Sequence, residues 1–387
     1  MPSTPMKNLL YRLALPLMAP SPHKQMIHKP EGFELSHLPY YEHLLTKHRV
    51  WGASLLLDDG KQRAQVYTAT MEPRHACEPN TIFRVASITK MATALVVLRC
   101  VDQGLFTLES PVLELLPDIR HGDKLAGVQV KHLLSHTSGL CDIPALDHAL
   151  RNGQSFDTVL ADEHVRSAEP GLKMIYSNFG FGLLGSMLEH VTGQSVENVF
   201  QECLFKPLGM RASLDASTLN ERDMMPIMRV LPYRPGTEVT VTTLGRKSIA
   251  TPDPLLHFGH TAGAMYTDTP SLAVLLKLIA KDGEHEGQQL ISKPLIGMMK
   301  QVQASTKTRT YGLGLVILNR PEISQWTLYG HQGFAYGCVD GAFIEEGTDR
   351  MVIFLNGGAS EARTGKLGLV NRDVLIWALN KEMPSWT

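Results

Sequence analysis

The chain has 387 residues, 43% hydrophobic and 19% charged, and its 37 Lys plus Arg against 38 Asp plus Glu leave a net charge of −1. That balance argues against a nucleic-acid or anionic-membrane surface as the main partner, since both need clustered positive charge. The composition is that of an ordinary globular protein long enough for two core-sized units or one large domain with an inserted lobe, and no apolar run reaches the roughly 18 residues of a spanning helix.

In chain order, Met6 to Pro20 carries a Lys and then an apolar stretch like an export signal. Arg12 interrupts it and no small-x-small cleavage site follows, so a cytoplasmic location is favoured over export. After the Pro-rich arm, Phe33 to His48 reads as an amphipathic helix, and Val50 to Leu57 and Gln65 to Ala69 read as strands joined by a turn at Asp58-Asp59-Gly60. A helical period begins at Ser87, with Ile88, Met91, Leu95 and Leu98 on one stripe and Gly104 where a C-cap belongs. From about 120 to 230 the pattern is short helices broken by Gly and Pro, such as Val130 to Ser135 and Phe181 to Val191. Strand-like runs return at Gln325 to Tyr329, Val339 to Ile344 and Arg350 to Leu355, and Gly368 to Leu379 closes as a helix. Strands at both chain ends with helices between them imply one shared sheet and a separate helical lobe across a cleft. The expected division is an arm at 1–31, a sheet domain at 32–119 and 231–387, and a helical lobe at 120–230.

Cys77, Cys100, Cys141, Cys203 and Cys338 lie far apart with no Cys-x-x-Cys, so neither a zinc knuckle nor a disulfide framework is indicated, and no cofactor is expected. The chemistry points instead to Ser87-Ile88-Thr89-Lys90, which opens a helix after the strand-like Thr81 to Ala86. At i and i+3 the two side chains share a helix face, so the amine reaches the serine oxygen, and the helix N-terminus favours a developing alkoxide. The spacing alone proves little, because Ser21-Pro22-His23-Lys24 repeats it in the Pro-rich arm. Ser87 has company, however: Tyr176-Ser177-Asn178 is the only Tyr-x-Asn in the chain. Its phenol can move a proton between nucleophile and leaving group, and its amide can bind a substrate carbonyl and hold the lysine. Gly330-His331-Gln332-Gly333 precedes a strand-like run, unlike the His-x-Gly patterns at His257 and His285. A strand edge there offers a backbone N–H, that of Phe334, to pair with the Ser87 N–H as an oxyanion hole.

Phe83 to Lys90 (FRVASITK), His132 to Leu140 (HLLSHTSGL), Tyr176 to Asn178 and GHQG, in that order, resemble the serine β-lactamase and penicillin-binding-protein-like hydrolases, with their Ser-x-x-Lys, Tyr-x-Asn and Lys/His-x-Gly motifs. The resemblance runs from about residue 33 to about 380. It implies an α/β (α+β) fold, an antiparallel sheet flanked by helices plus an all-helical lobe. It also implies Ser87 as acyl-forming nucleophile, Lys90 and Tyr176 as the proton-transfer pair, and Asn178, His331, Gly333 and Phe334 at the substrate and oxyanion positions. The last motif departs from Lys-Thr-Gly: His331 and Gln332 offer an imidazole and an amide where a permanent cation and a hydroxyl would meet a substrate carboxylate. Family members with His there include esterases, D-amino-acid peptidases and transacylases. The expected activity is therefore hydrolysis of a small-molecule ester, amide or peptide, with β-lactam turnover, acyl transfer or a non-catalytic scaffold as alternatives. No acidic deacylation residue of the class A type is evident, which leaves Tyr176 to activate water.

Three patterns invite other readings. Gly180 to Gly185 matches a dinucleotide fingerprint, but without a βαβ unit around it close helix packing is the better account. His132 and His136 have the i, i+4 spacing of a zinc pair but no third ligand, and are expected to be structural. Met224, Met225, Met228, Met298 and Met299 are expected to fill a core, although Met224 to Met228 could line an adaptable acyl pocket. Asn178 could also cap the helix that follows it.

Overall fold

The computed structural model describes residues 9, 13–19, 27–28, 38–61, 63–68, 77–231, 233–235 and 248–380. Ser21 to Lys24, the first residues of the expected Phe33 helix and Ala69 lie outside the described residues.

Nine strands form one sheet: β1 (Ile27–His28), β2 (Trp51–Asp58), β3 (Arg63–Thr68), β4 (Ala304–Thr306), β5 (Arg309–Tyr311), β6 (Val316–Leu318), β7 (Leu328–Ala335), β8 (Cys338–Glu345) and β9 (Met351–Gly358). Their order is β1-β3-β2-β9-β8-β7-β6-β5-β4, so the early hairpin is zipped onto the last long strand. Every pairing is antiparallel, with Leu55 opposite Phe354 and Val66 opposite Leu55. The β2–β3 turn is made as its sequence requires: Gly60 takes φ +86°, and its N–H is held by Asp58 Oδ1 at 2.9 Å.

Side chains alternate between two cores because strand residues point to opposite faces in turn. Leu55, Leu57, Val352 and Phe354 pack against helices α1 (Leu38–Lys47) and α5 (Leu369–Leu379), where Tyr41 stacks on Trp377 at 5.3 Å. Leu56, Ile353 and Leu355 face the larger core, which contains α2 (Thr89–Asp102), α3 (Asn178–Thr192) and α4 (Thr269–Ala280). Helix α2 is buried on all sides from Thr89 to Leu98, as befits an element enclosed by the sheet and the other helices.

Two local expectations change. Thr81 to Ala86 yields only a two-residue strand, Phe83–Arg84, in a small sheet with Tyr266–Thr267 and Ala212–Ser213. The GHQG segment does not precede a strand but lies inside one, since β7 runs from Leu328 to Ala335. Its glycines break the propensity pattern, yet eight successive register pairs with β8 hold them, and a Cβ at Gly330 would stand 2.0 Å from Ala342 O. Tertiary pairing overrides propensity here.

Candidate active site

Ser87 occupies a 3₁₀ turn, Ala86–Ile88, that runs directly into α2. It is the one partly exposed residue in the otherwise buried stretch 81–90. The turn is held tightly. Thr89 Oγ1 donates to Ala86 O at 2.6 Å and accepts from Met265 N at 3.1 Å, while Val85 N donates to Met265 O at 3.0 Å. Ala86 adopts φ +46°, a left-handed conformation costly for alanine, and strain of this kind, of order 1 kcal/mol or more, persists only where surroundings enforce it.

The Lys90 side chain is wholly buried, and its Nζ lies 3.2 Å from Ser87 Oγ, 2.8 Å from Asn178 Oδ1 and 2.6 Å from Ala262 O. With two directions of the amine committed to Asn178 and Ala262, the third is aimed at the serine oxygen. Tyr176 OH donates to that oxygen at 2.9 Å. Ser87, Lys90, Tyr176 and Asn178 are thus brought into one hydrogen-bonded group.

Asn178 does not cap α3. Ser177 does, its Oγ accepting from Gly180 N at 2.9 Å, so Asn178 is the first helical residue and its side chain is free for Lys90. Sequence reasoning missed the residue that orients it. Asp142 Oδ2 accepts from Asn178 Nδ2 at 2.7 Å, and its Oδ1 accepts from Phe179 N at 3.0 Å and Ser177 Oγ at 3.3 Å. The carboxylate therefore fixes the amide with its oxygen towards Lys90, and it also sits at the positive end of α3. Nothing in the sequence pairs Asp142 with Asn178.

His331, Gly333 and Phe334 lie on β7 beside the Ser87 turn. A Cβ at Gly333 would meet Val85 O at 2.3 Å and Ala86 Cβ at 3.2 Å, so only glycine allows this approach. The His331 ring is buried, with Nδ1 donating to Gln332 O at 2.7 Å. Burial, and then the Lys90 charge, push its pKa down to about 3, leaving a neutral imidazole. His136 is likewise held well below the usual histidine range by burial and by Lys90. Its Nδ1 accepts from Ser177 N at 3.2 Å and its ring lies 4.3 Å from that of Tyr176, so it braces the phenol. His132 Nδ1 accepts from Gln129 N at 3.1 Å within a helix-opening box, and no group of three metal-ligating side chains occurs among the described residues.

The remaining patterns have packing roles. In the glycine run on α3, a Cβ at Gly182 would stand 2.0 Å from Phe258 O and one at Gly185 2.8 Å from Thr261 Oγ1. His257 bonds Glu189 at 2.8 Å, and His285 lies in a two-residue strand. Met225 belongs to the core, Met224 packs beside Ile82, and the Met228 carbonyl abuts Gly337 and Gly358. The described cysteines are free, and burial holds the Cys338 thiol well above its usual value.

A sheet with helices on both faces, a serine at the head of the central helix, and a lysine, tyrosine and asparagine around it define a β-lactamase-like fold. A family model described as Beta-lactamase matches residues 40–368, and the chain belongs to that family. It is 28% identical over 183 residues to "Penicillin-binding protein 4" of Amycolatopsis lactamdurans, covering 45% of this chain and 47% of that protein. It is 33% identical over 178 residues to "Esterase EstB" of Burkholderia gladioli, covering 41% and 44%. The matches thus span less than half the length of these curated relatives. Among solved structures, the D-amino acid amidase of Ochrobactrum anthropi SV3 complexed with D-phenylalanine superposes with a TM-score of 0.66 at 23% identity, covering 85% of this chain and 94% of that one.

Proposed function

We propose that the protein is a metal-independent serine hydrolase that forms an acyl-enzyme on Ser87 and cleaves an ester or amide of a small molecule or peptide. The observation that carries this reading is the convergence of Lys90 Nζ at 3.2 Å and Tyr176 OH at 2.9 Å on Ser87 Oγ. Ser87 attacks the carbonyl carbon as its proton passes to the Lys90–Tyr176 pair. The backbone N–H groups of Ser87 and Phe334 receive the oxyanion, the leaving atom departs protonated through Tyr176, and water activated by the same phenol releases the acyl group. Asn178 holds Lys90 and contacts the substrate carbonyl. The reading places the site where a sheet domain (32–119 and 231–387) meets a helical lobe (120–230).

Ester and unstrained amide substrates are favoured over penicillins because the third motif presents a buried neutral imidazole, His331, in place of a lysine. A non-catalytic scaffold would have no reason to keep a buried amine on the serine oxygen. The test is fluorophosphonate labelling and turnover of p-nitrophenyl esters and D-alanyl amides by the wild type and Ser87→Ala. Labelling and turnover confined to the wild type support the reading; activity that survives the substitution overturns it. Intact-mass measurement after exposure to a penicillin separates an esterase or amidase from a β-lactam-acylated enzyme.

A further inference from the structure

Within HLLSHTSGL, His136 follows the short helix Val130–Leu134 and ends it at φ +59°, in the left-handed conformation that glycine or asparagine commonly fills. From Thr137 onward the chain runs antiparallel to 165–171. Gly171 N donates to Thr137 O at 2.8 Å, Ser167 N to Gly139 O at 2.9 Å and Cys141 N to Val165 O at 2.8 Å, with Leu140 bridged to Arg166. The two ends of the segment 136–142 reach the same triplet, Asp142 holding Asn178 and His136 holding the chain on either side of Tyr176. His136 O accepts from Ile175 N at 2.8 Å, and His136 Nδ1 accepts from Ser177 N at 3.2 Å. Between these anchors the Tyr176 ring lies 4.3 Å from the imidazole, which also meets the rings of Phe181 at 4.9 Å and Tyr311 at 5.2 Å. His136 is 1% exposed, so it is fixed from every side. A histidine held in a backbone conformation suited to glycine or asparagine is strained, and strain of this kind points to a use for the side chain.

We propose that His136 is the positioning residue of the proton-transfer step: its ring nitrogen and its backbone carbonyl clamp the chain before and after Tyr176, and this clamp keeps the phenol on Ser87 Oγ while a proton is handed to the leaving atom. The role rests on the serine-hydrolase reading and adds to it the group that fixes the aim of the phenol. As the bond from Ser87 Oγ to the carbonyl carbon forms, the serine proton passes to the Lys90–Tyr176 pair. As the bond from that carbon to the leaving atom breaks, Tyr176 delivers a proton to the leaving atom. The need for that proton grows with the basicity of the leaving atom. A neutral imidazole that accepts at Nδ1 carries its own proton on Nε2, so His136 supplies an acceptor and takes no proton from the reaction. Without the bond to Ser177 N the main chain at 175–177 is free to shift, and a displacement of about 1 Å at a reacting group costs on the order of a hundredfold in rate.

The test compares kcat/KM for p-nitrophenyl acetate, whose phenoxide departs with little help, and for phenyl acetate, whose leaving oxygen needs the proton more; the two share one acyl group. His136→Asn places an amide oxygen as many bonds from the backbone as Nδ1 and tolerates a positive φ, whereas His136→Gln carries its oxygen one bond too far. His136→Gln is expected to lower kcat/KM on the order of a hundredfold for phenyl acetate but about tenfold or less for p-nitrophenyl acetate. His136→Asn is expected to restore most of both and to return the ratio between the esters to the wild-type value. A merely structural role would lower both esters alike, in step with the unfolding midpoint. Equal losses for the two esters in His136→Gln, undiminished activity in His136→Gln, or a His136→Asn protein no better than His136→Gln each overturn the inference. Should His136→Gln not fold by circular dichroism, His136→Asn decides alone: a wild-type ratio supports the clamp, and a lowered phenyl acetate rate or an unfolded chain overturns it. In all these cases fluorophosphonate labelling of Ser87 in the wild type keeps the serine-hydrolase reading. Absence of labelling and of turnover in the wild type overturns both.

Discussion

Gly333 faces the carbonyl of Val85 so closely that a methyl group on its Cα would lie 2.3 Å from the oxygen. This contact sets the separation between β7 and the turn bearing Ser87. Gly333→Ala is expected to lower kcat by about a hundredfold or more, the usual loss when an oxyanion donor is displaced, while circular dichroism shows a folded chain. Unchanged kcat would mean that the two segments need not approach so closely.

Asp142 is exposed but accepts from the side chains of Ser177 and Asn178 and from Phe179 N. Asp142→Ala frees the Asn178 amide to rotate. The expected outcome is a kcat reduced by about tenfold and a stability loss of about 1 kcal/mol, modest because the carboxylate is solvated. Steady-state kinetics and urea unfolding read the two effects separately.

His331 and His136 give the stability a defined pH dependence. Both have folded-state values below the ordinary 6.5, so the unfolded chain binds more protons in the acidic range. Their contribution is fully present above pH 6.5; that of His331 is lost as pH falls from there towards about 3, at up to about 1.4 kcal/mol per pH unit, and His136 acts in the same direction. Unfolding midpoints measured from pH 7.5 to pH 4.5 should fall, and His331→Gln should flatten the slope.

Restoring the lysine of the Lys-Thr-Gly pattern is expected to fail. His331 is 2% exposed and lies close enough to feel Lys90, so His331→Lys buries an unpaired ammonium there. An uncompensated buried charge costs on the order of 3–5 kcal/mol. Denaturant unfolding should show that loss, and intact-mass analysis should show no penicillin adduct.

The residues that converge in the candidate site were legible because the sequence spells them in short motifs: Ser87 and Lys90 one helical turn apart, Tyr176 and Asn178 two positions apart. Their supports were not. Asp142 reaches Asn178 across 36 positions and Gln332 reaches Gly368 across the same separation, with no local pattern to announce either. The helices expected from Ser87, over Phe181 to Val191 and over Gly368 to Leu379 appeared within a few residues of those bounds. The strand β7 was misjudged because its register partner, not its own glycine-rich composition, makes it a strand. Gln332 was read as a substrate-facing amide because the motif supplies its position in the chain but not the Lys366 carbonyl and Gly368 N–H that it grips.

The zipping of β2 onto β9 also governs how the chain is made. Leu55 waits for Phe354, roughly 300 residues later, and at about 5–20 residues per second the ribosome needs tens of seconds to supply it. Throughout synthesis the hairpin β2–β3 carries an open edge and an apolar face with no lasting neighbour, a surface that recruits chaperones or other nascent chains. A premature stop before Met351 would therefore leave a trapped, sticky fragment rather than a smaller working enzyme.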